Sequence, residues 1–398
     1  TSKANSKGQS KFVLHTRNKT EFENLLSSLE CCFNKTIRRD IDPLSMKSYE
    51  NDKSTVMTTT IGKYSFGLGF MDSDSATQFD KLYGSITVAE DSSIEAIGLD
   101  TRRTHRSSCL TAITNSTVKV PNLDRIDQAN LPLDGKYNFP PSNGSGVNVY
   151  CVDTGVNSKH AEFEGRATNG GAFCAGCPNT DDNGHGSNVA GIIGGKTYGV
   201  AKKCNIIGIK VMNASGMGTT SVIISGLSFI ASAHSKSSNK NTVVNMSLRS
   251  GLNTALNAAV SSLTSIGIHV IVAAGNDASN ACNYSPASEP SAIAVGATDT
   301  STDNVASFSN TGKCVGIFAP GTHIVSCGIG STTATLSESG TSQACPHVSG
   351  TIALMIALNG NRDPAQMKSD LYSSSTKNVI NGIVSPTPNR LLRIPSNC

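Results

Sequence analysis

The sequence predicts an α/β chain in which a parallel sheet with helices on both faces follows a small α+β unit. Three observations predict it. Beyond residue 147, short β-branched runs alternate with longer stretches of helical period; those runs are apolar on both faces; and residues 11–98 carry a different rhythm. Strands apolar on both faces belong in a sheet covered on both sides, the arrangement that parallel crossovers produce.

Taken in order, "KFVLHTR" reads as a strand, "TEFENLLSSL" as a helix and "KYSFGLGFM" as a strand. A second helix falls near "SATQFDKLYG", and "SITVAE" closes a compact β-α-β-β-α-β unit over 11–98. Residues 99–117, with "DTRRTHRSS", are polar, basic and aperiodic, and read as a linker. Next, "VNVYCV" (147–152), "NIIGIKV" (205–211), "TVVNMSL" (242–248), "HVIVAA" (269–274) and "SAIAVGA" (291–297) read as buried strands. "TSVIISGLSFIASAHS" and "TALNAAVSSLTSIG" between them read as helices. Function in such sheets collects beyond the carboxyl ends of the strands, where Asp153 and Asn276 fall.

Composition narrows the function. With 398 residues, 37% apolar and 16% charged, the chain has room for one large domain and a smaller companion. A net charge of +4 is too weak and scattered for a nucleic-acid partner. The apolar run "TIALMIAL" is far too short to span a membrane. Twelve cysteines point to an oxidising compartment and hence to secretion, although their number leaves the pairing open. The chain opens on Thr1 without a charged and then apolar start, so any secretory signal is expected to have been removed. Sequons such as that at Asn245, inside an apolar run, do not by themselves mean glycosylation.

The stretch "DDNGHGSNVAGIIGGKT" (181–197) has two readings. From Ala190 it fits a loose phosphate-loop pattern, but a working phosphate loop precedes its helix. Here the helical spacing runs through "HGSNVAGII" and stops at Gly194 and Gly195, so Lys196 and Thr197 fall at a helix C-terminus, the wrong end for an anion. His185, between two glycines, is the residue that carries chemistry. "SGTSQACPHVSG" (339–350) places Ser342 at the start of an apolar helix, its hydroxyl exposed and its N–H free to meet an oxyanion. Asp153 can hold an imidazole in one tautomer, and the Asn276 amide can be a second oxyanion donor. Each has a bland alternative, as an N-cap or a turn residue. All four on one α/β chain are poorly explained that way.

The motifs "DTGVNSKHAEFEGRA", "NGHGSNVAG", "YGVAKKCNIIGIKV", "NYSPASEP", "ASFSNTGKCVGIFAPGT" and "SGTSQACPHVSG" resemble those of subtilisin-type serine peptidases, the proteinase K group above all, over about residues 118–398. Residues 11–98 resemble, more weakly, the family's inhibitory prodomain, a ferredoxin-like α+β unit. The resemblance implies a subtilisin-like parallel-sheet fold and a secreted, monomeric endopeptidase of broad specificity, made as a zymogen. Its maturation site would lie within 99–117, its partners would be protein and peptide substrates and its own prodomain, and it would need no cofactor. By resemblance Asp153, His185 and Ser342 form the catalytic triad, and Asn276 with the Ser342 N–H forms the oxyanion hole. Ser247, Leu248 and Arg249, with Gly216, Met217 and Gly218, match the strands that sandwich an extended substrate; Ala273, Ala274 and Gly275 complete the substrate-binding set. Cys282 and Cys314 match a paired position in some relatives, whereas the Cys174–Cys177 spacing suits a local loop disulfide.

Departures from the family pattern are expected to matter. Arg249 stands where the group has glycine, which would alter a wall of the primary pocket. Gln343 replaces the methionine after the nucleophile, and Cys345 replaces a small residue. Gly316 occupies the place of an aspartate calcium ligand, and no acidic residue lies around Asn378 for a second site, so calcium binding is not expected. A binding protein that cuts itself once, retains its prodomain and never turns over is the alternative to an active peptidase.

Overall fold

The computed structural model describes residues 10–33, 35–39, 55–71, 76, 79, 84–98 and 120–395. The linker expected at 99–117 lies outside them.

The first unit is built on strands β1 (Ser10–Thr16), β2 (Thr36–Arg39), β3 (Thr55–Ile61), β4 (Tyr64–Met71) and β5 (Thr87–Glu90), with helix α1 (Lys19–Phe33) after β1. They form a five-stranded sheet in the order β2-β3-β4-β1-β5. Without the short edge strand β2, this is the ferredoxin-like order that the sequence predicts. Ala76 and Phe79 are helical, within the second expected helix. Side chains alternate across the sheet as a period of two requires. Leu14 packs with Phe22, Leu25, Leu26 and Leu29 of α1, whereas Val13, Phe66 and Leu68 join a buried cluster shared with the larger unit. After β5 the chain continues as β6 (Ser93–Ala96), which leaves this sheet entirely.

The larger unit opens with α2 (Pro121–Asp127) and centres on a nine-stranded sheet. Its middle strands are β7 (Asn148–Asp153), β8 (Ala167–Ala172), β9 (Asn205–Lys210), β11 (Thr242–Met246), β13 (His269–Ala273), β15 (Ile293–Thr298) and β16 (Ile317–Pro320). They run in the order β16-β15-β13-β11-β7-β9-β8, and neighbours pair in parallel. Helices α3 (His185–Gly194) and α6 (Thr341–Asn359) cover one face; α4 (Thr220–Lys236) and α5 (Thr254–Ser265) cover the other. Strand β7 shows why its sequence is apolar throughout: Val149 and Cys151 face the first pair of helices, and Tyr150 and Val152 face the second. Helix α7 (Pro364–Ser374) and two short strands, β19 (Thr376–Lys377) and β20 (Arg390–Leu391), finish the sheet edge.

The strand that left the first unit reappears here. Strand β6 lies antiparallel between β10 (Met217–Thr219) and β12 (Leu248–Gly251), and β12 pairs in turn with β14 (Tyr284–Ser285).

Candidate active site

Asp153 ends β7 and His185 begins α3, and the glycines around them make their approach possible. A Cβ at Gly186 would strike the Gly155 carbonyl, and Gly184 takes a φ of 114°. Asp181 fixes the start of α3. Its Oδ1 accepts from the Gly184 N–H at 2.9 Å and the Thr154 hydroxyl at 2.9 Å; its Oδ2 accepts from the Ser187 N–H at 2.9 Å and the Ser187 hydroxyl at 2.6 Å. Sequence reasoning missed this residue; an acidic side chain ahead of an uncapped helix start was the available signal. The outcome is a 2.8 Å hydrogen bond from His185 Nδ1 to Asp153 Oδ1, in a site where Asp153 is fully buried.

Burial opposes charge on His185, but the Asp153 carboxylate, joined by Glu338 and Asp181, overrides it and holds the imidazole above its ordinary value. Glu338 ends β18 (Thr335–Glu338). Burial raises its own carboxyl, against the pull of His185. Gln343 Nε2 donates to Glu338 Oε2 at 2.8 Å, so the residue in the usual methionine position ties itself to this acid.

Ser342 is the second residue of α6, too early in the helix for its N–H to find an intrahelical acceptor. Asn276 is aimed from below: its Oδ1 accepts from the Thr341 N–H at 2.9 Å and the Thr341 hydroxyl at 2.8 Å, which turns Nδ2 into the cleft. The Gly275 N–H, just past the buried Ala273 and Ala274, donates to the same Thr341 hydroxyl at 3.1 Å. A buried polar network locks Ser247 onto α6. Asn245 Nδ2 donates to Ser247 Oγ at 3.0 Å, and Ser247 Oγ donates to the Ser342 carbonyl at 2.9 Å. Asn245 Oδ1 accepts from Ser349 Oγ at 2.8 Å and Cys345 Sγ at 3.2 Å. Burial pushes the Cys345 thiol far up and leaves it un-ionised. The Ser342 hydroxyl donates to the Ser247 carbonyl at 3.1 Å, and His185 Nε2 has no hydrogen-bond partner among the described residues.

Strand β6 fills the cleft. Glu95 opposes both Met217 and Arg249, and Ala96 opposes Leu248. The Ala96 N–H donates to the Gly216 carbonyl at 2.9 Å. Gly218 pairs with Ile94. Ile97 is buried, with its carbonyl 3.5 Å from Asn276 Nδ2. A Cβ on Gly340 would lie 2.7 Å from that carbonyl and 3.0 Å from the amide, so only glycine leaves the space open. A side chain on Gly98 would lie 3.7 Å from both His185 Cδ2 and Glu338 Oε1. The bond between Ile97 and Gly98 thus lies with the Asn276 amide near its carbonyl and with the His185 ring and the Glu338 carboxyl near Gly98. Nothing in "SIEAIGLD" announces this position.

Residues 144–390 match the model of the subtilase family. The chain belongs to the subtilase family. Among subtilases of known sequence, an extracellular serine proteinase of Thermus sp. (strain Rt41A) is 47% identical over 274 residues, covering 69% of this chain and 65% of that protein. The subtilisin-like serine protease Pen ch 18 of Penicillium rubens is 44% identical over 271 residues, covering 64% of this chain and 55% of that protein. The chain thus spans less than two thirds of the length of these curated relatives. The crystal structure of a cold adapted subtilisin-like serine proteinase matches with a TM-score of 0.66 at 43% identity, covering 70% of this chain and all of that one.

Among the described residues two disulfides are formed, Cys174–Cys177 and Cys282–Cys314. The second closes a separation of 32 residues, worth about 3–4 kcal/mol in the chain-entropy model. The Arg249 side chain meets Glu95 Oε1 at 2.7 Å and Asp277 Oδ1 at 2.9 Å. At Gly316, a Cβ would collide with the Tyr372 hydroxyl, and the Gly316 carbonyl accepts from Arg390 Nη1 at 3.2 Å. A guanidinium in that place does not fit a calcium ion beside it.

Proposed function

We propose that the chain is a serine endopeptidase of broad specificity, secreted as a zymogen, whose residues 11–98 block its own cleft. The observation that carries this reading is the lie of β6. An extended strand pairs with cleft strands on both edges and presents one carbonyl, that of Ile97, to Asn276 Nδ2. Recognition through backbone pairing accepts many sequences, which supports broad specificity.

In this reading Ser342 Oγ attacks the scissile carbonyl while His185 Nε2 takes its proton; the Asp153 carboxylate keeps Nδ1–H bound and steadies the imidazolium. A turn of the Ser342 side chain from the Ser247 carbonyl to His185 Nε2 sets up the attack. The oxyanion is held by Asn276 Nδ2 and the Ser342 N–H, each such donor being worth about 100–1000-fold in turnover. The carbon–nitrogen bond then breaks as His185 returns the proton to the leaving amine, and water hydrolyses the acyl-enzyme by the same steps in reverse. The first bond presented is Ile97–Gly98, so this reading moves the first cut from the 99–117 linker, where the sequence placed it, to the bond just ahead of that linker.

The closed cleft, with Ser342 bonded to Ser247, favours the second reading to this extent: a protein that never released β6 would bind and not turn over. Casein hydrolysis by the purified protein and by Ser342→Ala separates the two. Sustained release of peptides by the wild type alone, with a loss of about 10⁴–10⁶-fold in the variant, is expected. Equal activity of the two proteins would overturn the triad, and no wild-type hydrolysis would favour the binding protein.

A further inference from the structure

We infer that Arg249 selects substrates with an acidic side chain at the third residue on the amino side of the cut bond, counting the residue that supplies the carbonyl as the first. The inference rests on the reading of the cleft above. With Ile97 first and Ala96 second, Glu95 is third, and it stands directly opposite Arg249 across the β6–β12 ladder. Directly opposed residues on one face of an antiparallel pair are within side-chain reach. Here Arg249 Nη2 meets Glu95 Oε1 at 2.7 Å.

The larger unit builds this receptor for itself. Asp277 Oδ1 holds the same Nη2 at 2.9 Å. Asp277 is in turn fixed by Asn310, whose Oδ1 accepts from the Asp277 N–H at 2.9 Å and whose Nδ2 donates to Asp277 Oδ2 at 3.3 Å. The guanidinium lies over the Tyr284 ring, 5.4 Å from its centre. None of these contacts involves β6, so the fork stays aimed when the strand departs, and an incoming carboxylate meets a donor already in place. Among the described residues Arg249 Nε, which is buried, has no hydrogen-bond partner even with Glu95 present. A carboxylate able to rotate toward Nε therefore has a further donor available. A lysine at the third position would meet the guanidinium as a like charge, and a glutamine would lose the charge assistance. The blocking strand thus carries the side chain that the cleft prefers.

Because the Glu95 side chain is 46% exposed, the preference is modest, about 3–10-fold in kcat/KM. Asp277 also faces the incoming carboxylate and repels it, which holds the preference down.

The test uses the self-processed full-length protein and three peptides with the sequence of residues 93–97, each ending in a chromogenic amide and differing only in Glu, Gln or Lys at the third position. The expected order is Glu above Gln above Lys, with the ratio shrinking in high salt. Arg249→Met should flatten the order, Arg249→Glu should bring Lys to the top, and Asp277→Asn should raise the Glu-to-Gln ratio. Turnover of all three peptides at equal kcat/KM would overturn the inference while leaving the peptidase intact. An order that survives Arg249→Met would likewise overturn it. No hydrolysis of these peptides or of casein would instead remove the peptidase reading, and the inference with it.

Discussion

The nine-stranded sheet is covered on both faces by helices of its own unit, α3 and α6 on one side and α4 and α5 on the other. Among the described residues, the five-stranded sheet has helices of its own on one face only, where Phe22, Leu25, Leu26 and Phe79 lie. Its other face, with Val13, Met57, Phe66 and Leu68, is buried in the same cluster as Leu227 and Ile230 of α4 and Leu256 and Val260 of α5. The two units therefore differ in what they need. The larger sheet has helices of its own unit on both faces; the smaller sheet takes the cover of one face from the larger unit. Polar contacts lie along the same seam. Asp91 accepts from the Ser221 N–H at 2.7 Å and the Ser221 hydroxyl at 2.6 Å, and so caps α4, whose own N-cap residue, Thr219, makes no capping bond. A unit that borrows core from its neighbour holds tightly while docked and is poorly supported once released.

That asymmetry can be broken at one residue. Leu68→Ala removes a wholly buried side chain from the shared face, and a cavity of this kind costs about 2–5 kcal/mol. The loss should fall on the smaller unit. Proteolysis and hydrogen exchange should show residues 10–98 opening while the larger unit keeps its melting temperature, and peptidase activity should appear without the lag expected of the wild type. An equal drop in the stability of both units would mean that the larger one also depends on the contact.

A smaller effect sharpens the comparison from the other side, because the chemistry should answer only to residues of the larger unit. Glu338 helps to raise the His185 imidazole, and in the proposed mechanism His185 is a base that works only when neutral. Glu338→Gln removes a negative charge, lowers the imidazole value and moves the acid limb of kcat/KM to lower pH, by less than about one unit. A shift to higher pH, or none, would show that Glu338 does not act on His185 in the open enzyme.

Much of the larger unit was legible in the sequence because its strands carry their own signal. β7, β9, β13 and β15 are apolar on both faces, and α3, α4 and α5 keep helical spacing. Asp153, His185, Asn276 and Ser342 stand at the ends of such elements. The smaller unit was only partly legible. β3, "TVMTTTI", is rich in threonine and has no clean alternation, so it reads poorly as a strand although most of it is buried. β6 was invisible for a stronger reason: its four residues acquire strand geometry only from β10 and β12, more than a hundred residues away in sequence. Asp181 was hidden in "TDDNG", where any acidic residue looks like part of a turn. Local pattern reveals elements that stabilise themselves and misses those completed by a distant partner.

The most direct measurement of the central claim is the amino terminus that the full chain makes when left to process itself, read by intact mass and terminal sequencing beside Ser342→Ala. The account predicts a first cut between Ile97 and Gly98 in the wild type, giving a new chain that starts at Gly98, and no such cut in the variant. A wild-type first cut elsewhere with the Ile97–Gly98 bond intact, or the same cut made by Ser342→Ala, would contradict it.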